Sequence, residues 1–310
     1  MDDGGILVTS ATVGSKVITL QEAASRIPDG AHLTIGGFAH SLAPLALVRE
    51  MIRQGKGNFE LTSMGDCWAV DMLAGAGRVK RARFSNYMFE GYGRCPNFSR
   101  AVGSGEIEVD DYSHFAITSR WMAAALGLPS MPTRVMLGTD LVRVKPLDRD
   151  DVVAAPCPIT GEPLLFVRAS QPDFALLHAS RADQEGNVQL FGTCSTYEEQ
   201  ARAAKRVIVT VEEIVPDCVI RERPEFTLIP GFLVEAVVPA PFGAHPAGMF
   251  RYYDFDRDHV GQYVQAGKSA ETFRQYLQDY VVGVPDHNAY LAKIGIRKLM
   301  AMRADPYWGY

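Results

Sequence analysis

The feature that most constrains the fold of this chain is an alternation of short β-type stretches with helical patterns. Thr19-Leu-Gln-Glu22 has the form of a capping box, and Leu20, Ala23, Ala24 and Ile27 recur behind it at the spacing of one helix face. A strand is expected at 32–35. It is followed by Gly36-Gly37-Phe38 and a helix opened by Pro44, with Leu45, Val48 and Ile52 on one side. Strands at 60–63, 79–84 and 107–110 then alternate with helices at 69–76 and 96–102. Parallel neighbours need crossover connections, usually helical, so strict alternation predicts an α/β fold with a parallel sheet between helices.

The segment 143–163 is less regular and contains prolines, and it reads as a connection between an N-terminal half, 1–142, and a C-terminal half, 164–310, of one domain. Alternation resumes with strands at 164–167 and 173–178, a helix at 197–204, and strands at 207–211 and 235–238. From Tyr253 onward the pattern is helical and more polar, a helical C-terminal tail ending in the aromatic run 306–310. No internal repeat or low-complexity tract interrupts this order.

Composition excludes several classes. With 310 residues, 47% of them apolar, the chain has material for a sizeable core. A net charge of -5 gives no general attraction to nucleic acid or anionic membrane, and the basic run at 78–83 is expected to be a solvated strand edge. The acidic start at 1–5 is unlike a secretory signal, and the longest apolar run, near 121–131, is too short to span a bilayer. Five cysteines, odd in number and without metal-ligand spacing, fit free thiols in a reducing cytoplasm.

In parallel α/β sheets ligands gather beyond the carboxyl ends of the strands, so the loops there are the candidates for chemistry. Gly36, Gly37 and Phe38 follow the first strand; paired glycines leave amides open to a ligand, and they serve equally as a tight turn. Ser63 and Gly65, with Asp66 behind them, follow the second strand, and Ser85 and Asn86 the third. After the fourth, Ser113 is placed to cap a helix with His114 at its first position. A neutral imidazole there has one N–H to donate and one lone pair to accept with, and a local structural hydrogen bond uses the same equipment. His178 and His245 are read as hydrogen-bonded structural residues with backbone partners. Dinucleotide, Walker, nucleophile-elbow and HExxH motifs do not occur.

Together these pieces resemble the A chains of two-subunit class I CoA-transferases, most closely the glutaconate type. The similarity is carried by LTIGGF at 33–38, VDDYS at 109–113, MAAALGLPSMP at 122–132, DFALLHASRADQEGNVQLFG at 173–192, EEI at 212–214, IPGFLVEAVV at 229–238, APFGAHP at 240–246, YYDFD at 252–256 and DHNAYL at 286–291. The resemblance implies the CoA-transferase sandwich fold, which sugar-phosphate isomerases share, and a catabolic enzyme active only with a homologous B subunit, in an A2B2 or larger assembly. The B subunit would supply a glutamate that becomes an enzyme-bound CoA thioester. A CoA thioester is then a substrate, and no permanently bound cofactor or metal is expected. This chain's share would be the Gly-Gly-Phe loop and the side chain after Tyr112-Ser113. At that position the transferases usually hold glutamine, while related hydrolases of steroid-ring degradation hold glutamate. His114 therefore leaves two roles open, oxyanion donor in transfer or base in hydrolysis of a CoA ester. Arg134 is a candidate for a substrate carboxylate or CoA phosphate, or for a structural ion pair. A non-enzymatic ligand-binding module is the reading from another class, and the lack of a basic face argues against a regulator.

Overall fold

The computed structural model describes residues 14–308 except 145, 146, 148, 306 and 307. The acidic start at 1–5 and, apart from Trp308, the aromatic ending lie outside the described residues. Thr19 caps α1 (Leu20–Ser25) by accepting from the Glu22 amide, as its capping-box sequence requires. The chain then builds outward through β1 (His32–Ile35), α2 (Leu45–Arg53), β2 (Phe59–Met64), α3 (Trp68–Gly75), β3 (Val79–Ser85), α4 (Pro96–Gly103), β4 (Glu108–Asp111) and α5 (His114–Ala125). Each strand pairs in parallel with the one before it.

At that point the path leaves the main sheet. Strands β5 (Ser130–Thr133), β6 (Val152–Pro156) and β7 (Pro163–Arg168) form a separate antiparallel sheet in the order β5-β7-β6. Its inner face, with Val152, Leu165 and Val167, packs with Tyr112, Ala116, Ile117 and Trp121 into a second small core. Residues 143–163 are thus more than a connection, since they carry one strand of a sheet. Residues 164–167 do not resume the parallel alternation. The three stretches are too short and too proline-punctuated to show a period of their own, and only their mutual pairing reveals them.

The chain returns with β8 (Phe174–Ala182) beside β1, followed by β9 (Val188–Gln189), α6 (Tyr197–Ala203), β10 (Arg206–Ile214), α7 (Asp217–Glu222), β11 (Thr227–Ile229) and β12 (Val234–Pro239). β10 and β12 extend the parallel sheet beyond β8, while β9 and β11 are antiparallel additions. Ala175, Leu176, Leu177, Ala179, Val207, Ile208, Val209 and Val211 are buried, the composition of strands covered on both faces. Strand order reverses between β1 and β8, where Leu33 faces Phe174 and Ile35 faces Leu176. This is the topological switch point, and β8 runs six residues past it.

The helices α8 (Arg257–Ala266), α9 (Ala270–Leu277), α10 (His287–Ile294) and α11 (Ile296–Ala301) form the expected C-terminal helical region. It is less peripheral than its polarity suggests: Tyr263, Phe273 and Tyr276 belong to the main core. The basic run is also placed differently from expectation. β3 is an interior strand between β2 and β4, and Arg81 and Arg83 pair across it with Glu60, and Arg81 also with Glu108. No helix of the described residues is long and apolar enough to cross a membrane.

Candidate active site

The loops beyond β1 to β4 meet in one row. Gly36 donates its amide to the Leu176 carbonyl at 2.8 Å, fixing the loop to β8. A Cβ there would stand 2.5 Å from Cε1 of Tyr197, whose hydroxyl donates to the Leu42 carbonyl at 2.6 Å. Gly37 has φ +136°, which side chains rarely adopt, and its open side lies 3.0 Å from Oδ1 of Asp66 when a Cβ is drawn in. Gly65, at φ +70°, leaves room for the Phe38 ring, 2.7 Å from the same construction. Phe38 itself is 42% exposed, so the loop presents a ring outward and rests it on a glycine. The Ala39 amide closes the pair by donating to the Gly65 carbonyl at 3.1 Å.

The row continues through β2 and β3. The buried Ser63 hydroxyl bonds the Tyr87 hydroxyl, and the Gly65 amide donates to the Ser85 carbonyl at 3.3 Å. Asn86 turns the chain at φ +52° with its side chain exposed. Ser113 caps α5 by accepting from the Ala116 amide at 3.2 Å, which places His114 at the first helical position as its sequence predicts. The half-buried His114 ring is then joined through Nδ1 to the Ser85 hydroxyl at 2.8 Å. Gly36, Gly37, Phe38, Ser63, Gly65, Ser85, Asn86, Ser113 and His114 are therefore contiguous. Arg134 points elsewhere: it leaves β5 and is held by Glu162 at 2.6 Å, both side chains exposed.

Asp66 lies beneath this row. Burial pushes its carboxyl up to about 8, against the pull of the Ala69, Val70 and Trp68 amides, so it stays protonated at neutral pH. One of its oxygens meets no partner among the described residues.

On the other side of Phe38 a cavity of about 760 Å³ opens beside the loop that leaves β1, lined by 38–42, 192–193, 248–250 and 253–255. Leu42, Met249, Phe250, Tyr253 and Phe255 make it mainly apolar, and none of the lining residues is a lysine or arginine. His40 stacks on Phe255 with centroids 4.8 Å apart, and burial lowers its pKa, disfavouring a cation there as well. The Tyr253 hydroxyl donates to Glu212 at 2.6 Å, and Glu212 is also bonded by His178 Nε2 at 2.8 Å and by the Phe242 amide at 2.7 Å. His178 and His245 are buried and hydrogen-bonded, but through their rings to side chains in place of the expected backbone partners. His178 joins Thr210 and Glu212, and His245 joins Tyr290 and Asp256.

His40, Tyr253 and Phe255 are additions to the residues legible in the sequence, and so is the protonated state of Asp66, whose position in the loop was legible. Asp66 follows Gly65 in a post-strand loop, which is a signal of position, but its burial comes from packing that one sequence does not display.

Residues 17–240 match the family model described as coenzyme A transferase. The A chain of glutaconate CoA-transferase from Acidaminococcus fermentans is 36% identical over 317 residues, covering 96% of this chain and 97% of that one. The crystal structure of glutaconate coenzyme A-transferase from the same organism superposes with a TM-score of 0.90 at 34% identity, over 96% of this chain and 98% of that one. The A chain of 3-oxoadipate CoA-transferase from Pseudomonas knackmussii is 35% identical over 90% of this chain and 98% of its own length. A cholesterol ring-cleaving hydrolase subunit of Rhodococcus jostii is 28% identical over 87% of this chain and 93% of its own.

Proposed function

This chain belongs to the coenzyme A transferase family, and from that membership we propose that it works as the A-type member of a two-subunit class I CoA-transferase, moving CoA between an acyl-CoA and a carboxylic acid. The observation that carries this is similarity along nearly the whole length of two transferase A chains. The hydrolase relationship is real but more distant.

The chemistry follows from exchanging CoA between carboxylates without losing the acyl group to water. A partner glutamate attacks the thioester carbonyl, the C–S bond breaks, and an acyl-glutamyl anhydride forms with CoA thiolate released. The thiolate then attacks the glutamyl carbonyl, freeing the first acid and leaving a glutamyl-CoA thioester, which a second carboxylate resolves by the reverse steps. Each addition develops negative charge on one oxygen. His114, at the outward end of the row, donates a hydrogen bond to that oxygen. The Gly36-Gly37-Phe38 loop positions the thioester, and the apolar cavity behind Phe38 receives the acyl chain. The partner docks over Phe38, Met88, Tyr92, Phe115 and Phe250, exposed apolar residues around the row, in an A2B2 or larger assembly in the cytoplasm.

Reconstitution tests this. The chain alone is expected to give no transfer, and the complex loaded with acyl-CoA is expected to carry a borohydride-sensitive glutamyl thioester on the partner. An adduct mapped to a carboxylate of this chain, or full transfer without a partner, defeats the proposal.

A further inference from the structure

We infer that Ser85 is a positioning residue that fixes the tautomer of His114, making its ring an N–H donor rather than a base. Ser85 is the last residue of β3, 3% exposed, and its side chain makes one hydrogen bond among the described residues, at 2.8 Å to His114 Nδ1. A serine hydroxyl has a single hydrogen, and a buried donor left without an acceptor is costly, whereas an oxygen with an unused lone pair is not. If His114 donated from Nδ1, the Ser85 hydrogen would have no acceptor. The hydroxyl therefore donates, Nδ1 accepts, and the ring proton sits on Nε2.

The rest of the ring's surroundings make that assignment consequential. The backbone of His114 is held by the Ser113 cap at the start of α5, and its carbonyl accepts from the Thr118 hydroxyl at 3.1 Å. Ser85 comes from a different element and pins the remaining freedom, the rotation of the imidazole. Nε2 makes no hydrogen bond with the described residues and is left for a substrate. With its proton in place, Nε2 cannot take one from water, and Nδ1 is occupied. The pair thus presents one N–H, a donor of the kind a primary amide also carries, and no free lone pair on the ring, and this favours transfer over hydrolysis at the same position.

The inference rests on the proposed function only for its catalytic meaning; the tautomer can be read separately. This chain is labelled with ¹⁵N-histidine, assembled with its partner and studied by solid-state NMR, with His114→Gln identifying the signal. The expected result is an unprotonated Nδ1 and a protonated Nε2 in the native complex, and a mixture of tautomers in Ser85→Ala. Ser85→Ala is expected to lower kcat about 10-fold with KM little changed, the scale of a partly lost oriented donor, and Ser85→Thr to recover most of it. A native ring protonated on Nδ1 overturns the inference, as does a Ser85→Ala complex with unchanged tautomer and kcat. The expected tautomer in a complex whose His114→Ala form keeps full activity supports the Ser85 assignment and overturns the donor role of His114.

Discussion

Replacing His114 separates its chemistry from its place in the helix. An amide supplies the same kind of N–H, so His114→Gln in the assembled enzyme is expected to keep most of kcat. His114→Ala is expected to lose about 10²-fold, the usual scale of one oxyanion donor. Failure of both together, with water as acceptor in the native enzyme, would mark a base. Asp66 gives a second test at this scale. Its carboxyl is raised from 3.8 to about 8, so the unfolded chain binds fewer protons than the folded one between those values. Stability from this group is complete below pH 3.8 and is lost as pH rises toward 8, at about 1.4 kcal/mol per pH unit. Asp66→Asn removes that dependence, so its melting temperature is expected to gain on the native protein's between about pH 4 and pH 8; a constant difference would refute it. His114 was legible in the sequence because a serine cap and a strand ending fix a helix start. The unusual state of Asp66 was not, because desolvation arises from residues far away in the chain.

At the scale of elements, the glycines around Phe38 divide into two kinds. Alanine at Gly36 drives into the fully buried Tyr197 ring and threatens its bond to Leu42. A loss of about 1–3 kcal/mol, the usual cost of overpacking, is expected in urea denaturation. Alanine at Gly65 instead meets the exposed Phe38 ring, which can swing away, so beyond about 1 kcal/mol for the positive φ the effect is expected in kcat/KM. Equal stability losses in the two variants would refute the distinction. The parallel strands and crossover helices were readable because side-chain period and flanking turns repeat along them. The antiparallel sheet of β5, β6 and β7 was not, because pairing partners up to 38 residues apart carry no shared local signal. That sheet also matters to the site, since its core packs the buried face of α5, the helix that begins with His114.

For the whole molecule, the C-terminal helices bring a store of buried neutral imidazoles. Burial lowers His259 and His287 to about 3 and depresses His245 as well. The unfolded chain takes up protons below about pH 6.5 while the folded one does not, so stability falls as pH drops from there toward 3. The slope is about 1.4 kcal/mol per pH unit for each such group. His259→Gln is expected to flatten the decline in urea midpoint between about pH 6.5 and pH 5, and an unchanged slope would count against this account. The cavity behind Phe38 has a different kind of consequence. Among the described residues its walls hold no lysine or arginine, so if the acyl chain of the proposed reaction lies there, a second carboxylate would take a cationic anchor from the partner. The choice of metabolite would then be inherited through the companion gene, and a lineage could change its diet by exchanging that gene while this one stayed the same.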